Sequence, residues 1–245
     1  MKQLRLSSNA ITHPGHVRPK NEDSYLLQGE VGIWMVADGM GGHAQGDYAS
    51  ARVTEPISVA QPFTSLEEGV RCVRQAIHER HQNLLDYASQ QGLKTVCGCT
   101  VVSLVVFGDQ ACLLWAGDSR GYHFVRSNQQ LQQKTIDHTY IAELVNNGGL
   151  SMKQAHQHPY AGMITRAVGM ANAFEIDEVY LDLSAGERFL LCSDGLYNEL
   201  SEFEIRDCLH QGERPGETCR ALLTQVLAKP ARDNVTILIV DIGDG

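Results

Sequence analysis

Apolar residues fall along the chain in two rhythms. Short runs, continuous or alternating with polar positions, predict strands at 24–28 (SYLLQ), 32–38 (GIWMVAD), 100–107 (TVVSLVVF) and 111–117 (ACLLWAG). Further runs follow at 122–126 (YHFVR), 178–183 (EVYLDL), 188–193 (RFLLCS) and 234–242 (NVTILIVDI), and most runs are bounded by Gly, Asp, Asn or Ser. TVVSLVVF and ACLLWAG read as a hairpin whose three-residue loop is Gly108-Asp109-Gln110. The second rhythm is helical. In residues 65–91, Leu66, Val70, Val73, Ile77, Leu84 and Ala88 recur on one face behind a Ser65–Glu68 capping box. A second box, Ser201 to Glu204, opens a helix over 202–210, and Pro215 starts another, with Leu222, Leu223, Val226 and Leu227 on one stripe.

Residues 138–165 are more polar, with a short helix stopped at Asn146-Asn147-Gly148-Gly149 and another begun near Ser151; they read as an inserted flap. Strands and helices come in blocks, which predicts an α+β layered sandwich of mainly antiparallel sheets over a doubly wound parallel one. No internal repeat or low-complexity tract interrupts the pattern.

Length and charge narrow the classes. A chain of 245 residues can bury a core without disulfides or metal staples, and one domain spanning 1–245 is expected. The net charge of −9 leaves no basic block for nucleic acid or an anionic membrane. The seven cysteines are an odd number and mostly lie in apolar runs, where cysteine packs as a small hydrophobe, so a reducing compartment is expected. With no apolar signal core at the N-terminus and no run near the roughly 20 residues that span a bilayer, the expected location is the cytoplasm.

The chemistry lies where strands end. WMVADGMGG, LLWAGDSRG and FLLCSDGLY each drive an apolar run into an aspartate beside glycine: Asp38, Asp118 and Asp194. KPARDNVTILIV reverses the order, with Asp233 just before a strand. Any one of them reads equally well as a turn former; four together point elsewhere. Rigid backbone holds a strand-end carboxylate, and flanking glycines let a ligand or a carbonyl come close. Hard cations such as Mg2+ or Mn2+ take such oxygens, whereas zinc would ask for His or Cys. In GHVRPKNEDSYLL, Glu22 and Asp23 precede a strand and Arg18 lies just upstream. Alone this is a solvated loop; with the aspartates it suggests a metal cluster with an oxyanion clamp, since arginine suits phosphate oxygens and paired cations suit phosphate ester hydrolysis.

These residues resemble the metal-dependent protein serine/threonine phosphatases of the PP2C type, the PPM family, and its compact bacterial members in particular. The likeness runs in family order through GHVRPKNEDS, VADGMGGH, GCTVV, WAGDSRGY, DHT, ITRAVG, LLCSDGLYN and DNVTILIV. It implies a four-layer α-β-β-α sandwich with two mainly antiparallel sheets and a mobile flap over 138–165. It also implies two Mn2+ or Mg2+ ions, with Asp38 bridging them, Asp194 and Asp233 completing the first site, and Glu22 with the Gly39 carbonyl helping to hold the second. Asp118 with Asp194 would hold a third, weaker ion, Asp23 would be a supporting carboxylate, and Arg18 would bind the substrate phosphate. The reaction implied is single-step hydrolysis of phosphoserine or phosphothreonine by a water bridging the two metals. The partners implied are phosphorylated proteins and a cognate Ser/Thr protein kinase, with a monomer as the default state. Where eukaryotic members carry a histidine after the Asp-Gly, this chain has Met40, so the leaving group's proton is expected from a water on the third metal, with His43 as the alternative.

Two other readings compete. GDSRG at 117–121 matches a G-x-S-x-G nucleophile elbow with Ser119 as nucleophile, but YHFVR follows where that motif needs a helix. A pseudophosphatase that only binds is disfavoured, because Arg18, Glu22, Asp38, Gly39, Asp118, Asp194 and Asp233 are all present. His78, His81, His156 and His158 have no further ligands at zinc spacing and are given no role.

Overall fold

A computed structural model describes residues 4–40, 45–93, 96–146, 158, 160, 162–171 and 174–245. One sheet has the strand order β1 (Leu4–His13), β11 (Val235–Asp244), β10 (Glu187–Cys192), β7 (Arg120–Val125), β8 (Gln130–Gln133). The other runs β2 (Asp23–Gln28), β3 (Ile33–Met40), β5 (Val101–Phe107), β6 (Gln110–Ala116), β9 (Asp177–Asp182), with the short β4 (Gly98–Cys99) also pairing β3. Every one of these strand pairs is antiparallel.

The alternation of strand side chains builds the layers. Trp34 and Val36 of β3 face the core between the sheets, with Phe189, Leu191, Leu238 and Val240. Ile33, Met35 and Ala37 face the opposite way, toward α1 (Gly46–Val53) and α2 (Leu66–Gln90). On the outer face of the other sheet, Leu190, Cys192 and Ile237 meet α5 (Glu202–Gln211) and α6 (Pro215–Leu227). The result is the expected α-β-β-α sandwich with two antiparallel sheets. Each fully buried Leu, Val or Phe of these layers contributes roughly 1.5–3 kcal/mol. The short helices α3 (Tyr140–Asn146) and α4 (Asp194–Tyr197) lie at the sandwich end. Among the described residues no helix is long and apolar enough to cross a membrane.

Several local expectations need correction. Phe107 pairs with Gln110, so the hairpin loop is the two residues Gly108-Asp109, with Gly108 at φ 61°. Ser65 caps α2 by accepting from the Glu68 N–H, but the Glu68 carboxylate accepts from the Thr64 N–H, so the box is not reciprocal; the Ser201–Glu204 box is. The strands β1 and β8 and the helix α1 carried no recognisable rhythm. Both strands are edges: β1 buries no side chain fully and is held by a ten-residue ladder to β11. Of the 138–165 segment, α3 matches the first expected helix; the second, near Ser151, falls outside the described residues, as does His43.

Candidate active site

Antiparallel pairing brings strand starts and strand ends to one edge. In one sheet Cys192, the last residue of β10, sits opposite both Ile237 near the start of β11 and Arg120 at the start of β7. Asp194 after β10, Asp233 before β11 and Asp118 before β7 therefore gather at the same end. In the other sheet Asp23, the first residue of β2, pairs with Asp38 near the end of β3. Because β6 belongs to one sheet and β7 to the other, the turn carrying Asp118 joins the two sets. A cavity of about 650 Å3 opens there, lined by Asp38, Asp118, Asp194, Asp233, Glu22 and Arg18, with Gly39, Met40, Lys20 and Ile164 also on its wall.

The glycine after Asp38 is required sterically. A Cβ on Gly39 would lie 2.2 Å from the Gly46 carbonyl oxygen and 2.5 Å from that of Glu22. The Gly39 N–H donates to that Glu22 oxygen at 3.0 Å, so the segment bearing Glu22 is held against the end of β3. Asp38 is fixed in turn by Thr100, whose Oγ1 accepts from the Asp38 N–H at 3.0 Å and whose N–H donates to the Asp38 carbonyl at 2.8 Å.

The site is electrostatically loaded. Enclosure by protein, with Asp23, Asp194, Asp118 and Asp233 nearby, pushes the pKa of half-buried Asp38 well above the ordinary carboxylate range. Burial raises Asp194 to about 7, reinforced by Asp118 and Asp233. Burial likewise raises Asp118 to about 6, and Asp23 to about 6 despite hydrogen bonds from Ser193 and Thr236. Asp23 Oδ1 and Asp194 Oδ1 are buried with no hydrogen-bond donor. Arg18 is the cation bound within the ring, its guanidinium 2.7 Å from Asp233 Oδ2. Crowded carboxylates, orphaned oxygens and a glycine that brings main-chain oxygens close fit hard divalent cations. Among the described residues no group of three or more His, Cys, Asp or Glu side chains meets as a ready-made metal site. A cation at this ring would therefore need main-chain carbonyl and water oxygens beside the carboxylates.

All eight residues singled out from sequence, Arg18, Glu22, Asp23, Asp38, Gly39, Asp118, Asp194 and Asp233, lie at this end of the sandwich. Asp23 does not line the cavity; it stands behind Asp38, its Oδ2 accepting from Ser193 Oγ at 2.7 Å and Thr236 Oγ1 at 2.8 Å. Asn234 was missed. Its Oδ1 accepts from the Glu22 N–H, and its Nδ2 donates to the carbonyls of Pro14 and Lys20, fastening the Arg18 segment beside Asp233. The only sequence signal was its place next to Asp233. Asn198 was also missed; one turn along from Asp194, it donates to Asp194 Oδ2 at 3.0 Å. Ser119 is no exposed nucleophile: it is buried, its Oγ is 2.6 Å from Thr100 Oγ1, and a strand follows it.

Comparison with known proteins agrees with this architecture. Residues 16–229 match the family model of protein phosphatase 2C. The serine/threonine phosphatase stp of Listeria welshimeri is 32% identical over 94% of this chain and 93% of its own. The serine/threonine protein phosphatase PstP of Mycobacterium tuberculosis is 32% identical over 98% of this chain, which spans 46% of that longer protein. Among solved structures, PppA, a key regulatory component of T6SS in Pseudomonas aeruginosa, superposes with a TM-score of 0.88 at 36% identity, covering 97% of each chain. The catalytic domain of PstP, solved in complex with two manganese ions, superposes at 0.84 with 29% identity, covering 99% of this chain and 100% of that one. The chain belongs to the protein phosphatase 2C family of metal-dependent serine/threonine protein phosphatases, alongside its compact bacterial members.

Proposed function

We propose that the protein hydrolyses phosphoserine and phosphothreonine on proteins in one step, without a phosphoenzyme, and so reverses a Ser/Thr protein kinase. The observation that carries this reading is the convergence of Asp38, Asp118, Asp194 and Asp233 with Arg18 on one cavity. Asp38, Asp194 and Asp233 would hold one divalent cation, and Asp38, Glu22 and the Gly39 carbonyl a second, either Mn2+ or Mg2+. Such a pair would supply a water that loses its proton near neutral pH and so becomes nucleophilic, and would neutralise phosphoryl oxygens. Asp118 with Asp194 would hold a third, weaker ion.

The protein's own groups orient the substrate. Arg18 is exposed at the mouth, and its tie to Asp233 engages one terminal nitrogen, leaving further N–H donors for two phosphate oxygens. Met40 lines the cavity and has no proton to give, so the departing serine or threonine oxygen would take its proton from a water held at Asp118, with His43 as the alternative donor. Asp23, behind Asp38, keeps that carboxylate in register. The chain works as a monomer whose partners are phosphoproteins and the kinase that produced them.

The test is a rapid acid quench of a reaction on a protein carrying radiolabelled phosphothreonine, with and without EDTA. Label appearing only as free phosphate, and only without EDTA, is expected. Label retained on the chain would require a covalent intermediate, and turnover in EDTA would restore a serine hydrolase.

A further inference from the structure

Two segments of family-like sequence, Asp137-His138-Thr139 and Ile164–Gly169, have no part in the chemistry above, yet they meet directly behind Asp118. Gly117 precedes Asp118 in the turn between β6 and β7. Its φ is +115°, and a Cβ there would strike Thr100 at 2.6 Å, so the turn is sterically confined on one side. On the other side His138 grips Gly117 twice. The Gly117 N–H donates to His138 Nδ1 at 3.1 Å, and the His138 N–H donates to the Gly117 carbonyl at 2.9 Å. With Nδ1 accepting, the ring proton belongs on Nε2, which lies 3.2 Å from Asp177 Oδ2. Arg166 holds the other oxygen of Asp177 at 2.5 Å, and the ring stacks on Trp115.

The neighbours of His138 are also fastened. Asp137 takes a forked bond from Arg120, whose guanidinium lies 3.5 Å from the centre of the Tyr197 ring, and the Tyr197 hydroxyl donates to the Asp118 carbonyl at 2.9 Å. The His138 carbonyl accepts from the Thr165 N–H, and Thr139 bridges to Ile164, which lines the cavity. Residues 137–139 therefore connect the Asp118 turn to Ile164 in the cavity wall.

We propose that His138 is a positioning residue for the phosphatase reaction: by clamping both main-chain groups of Gly117 it fixes where the Asp118 carboxylate enters the cavity, and Asp177 with Arg166 fixes the ring. This rests on the reading of Asp118 as a cation ligand. A merely structural histidine would matter for stability alone. A positioning one matters through which ring nitrogen is replaced, because asparagine can offer an oxygen near Nδ1 for the Gly117 N–H, whereas glutamine reaches toward Asp177 and leaves Gly117 without its acceptor.

The experiment is Mn2+ titration calorimetry on the full chain and on His138→Gln, His138→Asn, Asp177→Ala and Asp118→Asn, with amide exchange at Gly117 and phosphopeptide kinetics alongside. His138→Gln is expected to weaken the lowest-affinity Mn2+ step and lower kcat by roughly tenfold, the usual scale for outer-shell partners, with KM unchanged and Gly117 exchange accelerated. His138→Asn should stay within about threefold of the parent, and Asp177→Ala should shift the same step by about threefold through release of the ring. If His138→Gln does not fold, Asp177→Ala decides, since Asp177 is half-exposed. Folded His138→Gln and Asp177→Ala proteins that bind Mn2+ like the parent, while Asp118→Asn loses the weak step, would overturn the proposal. An Asp118→Asn protein with all steps intact would instead overturn the reading of Asp118 on which it rests.

Discussion

Asp23 stands directly opposite Asp38 in the β2–β3 ladder, and while two hydroxyls hold its Oδ2, its buried Oδ1 has no donor. A like charge is thus built in behind the carboxylate that the site depends on. Asp23→Asn keeps an oxygen for Ser193 and Thr236 and removes the repulsion. The metal-free variant should be more stable than the parent at pH 7 by about 1–2 kcal/mol, with turnover reduced about tenfold or more, because Asp38 loses the charge that shapes its environment. Urea melts in EDTA and phosphate release in Mn2+ check the two halves.

The raised carboxylates set the pH dependence of metal stabilisation. Burial places Asp23 and Asp118 at about 6 and Asp194 at about 7. A carboxylate with a higher pKa folded than unfolded binds more protons in the native state, so its contribution to metal-free stability falls as pH rises from the ordinary carboxylate value of 3.8 to about 6 for Asp23 and Asp118 and about 7 for Asp194. His81, His123 and His138, held low by burial, tilt the other way. The rise in Tm on adding Mn2+ separates the two sets, since cations displace protons from the site carboxylates only. That rise should be small near pH 5 and largest above about pH 7; a rise independent of pH would contradict the assignment.

Arg18 is exposed and its single ion pair is at the surface, so Arg18→Ala should change stability by no more than about 0.5 kcal/mol. Its effect should fall on substrate binding, raising KM for a phosphothreonine peptide by about tenfold while kcat changes less. Steady-state kinetics with urea melts of the same variant test both statements.

Arg188 makes the opposite case. Its side chain is fully buried and forks onto Asp241, with further bonds to the Leu209 and Gly212 carbonyls and to Thr218 Oγ1. It stitches β10 and β11 to the α5–α6 connection, far from the cavity. Arg188→Met leaves Asp241 without its partner and should cost about 3–5 kcal/mol, with kcat per folded molecule unchanged.

Asn234→Ala should release the segment from Pro14 to Glu22. Three hydrogen bonds are lost, one of them an acceptor for the Glu22 N–H. A stability loss of about 1–3 kcal/mol is expected, together with a lower kcat/KM through misplacement of Arg18 and Glu22, measurable against the same phosphopeptide.

Much of this was legible in the sequence because burial and strand endings leave local marks. Every central strand showed as an apolar run, and aspartates beside glycine at those endings marked the residues that antiparallel pairing later gathers. What escaped had no local mark. β1 and β8 are edge strands that bury few side chains, β1 against the distant β11 and β8 against the neighbouring β7, so their polar residues carry no apolar rhythm. α1 opens at Gly46 with no capping side chain. The hairpin loop was overcounted because Gln110, though exposed, takes a ladder position opposite Phe107. Asn234 and His138 act through main-chain groups more than a hundred and about twenty residues away respectively, a relation that only the fold creates.

The ring around Asp38 is proposed to do its work with divalent cations. The most direct measurement is phosphate release from a phosphothreonine peptide after EDTA stripping, as Mn2+ is titrated back into the parent and into Asp38→Asn. The parent should recover full activity with metal and the variant should recover less than about a hundredth of it at any Mn2+ level. A folded Asp38→Asn protein with near-parental rates, or a parent that is active in EDTA, would rule out a divalent-cation role for this ring.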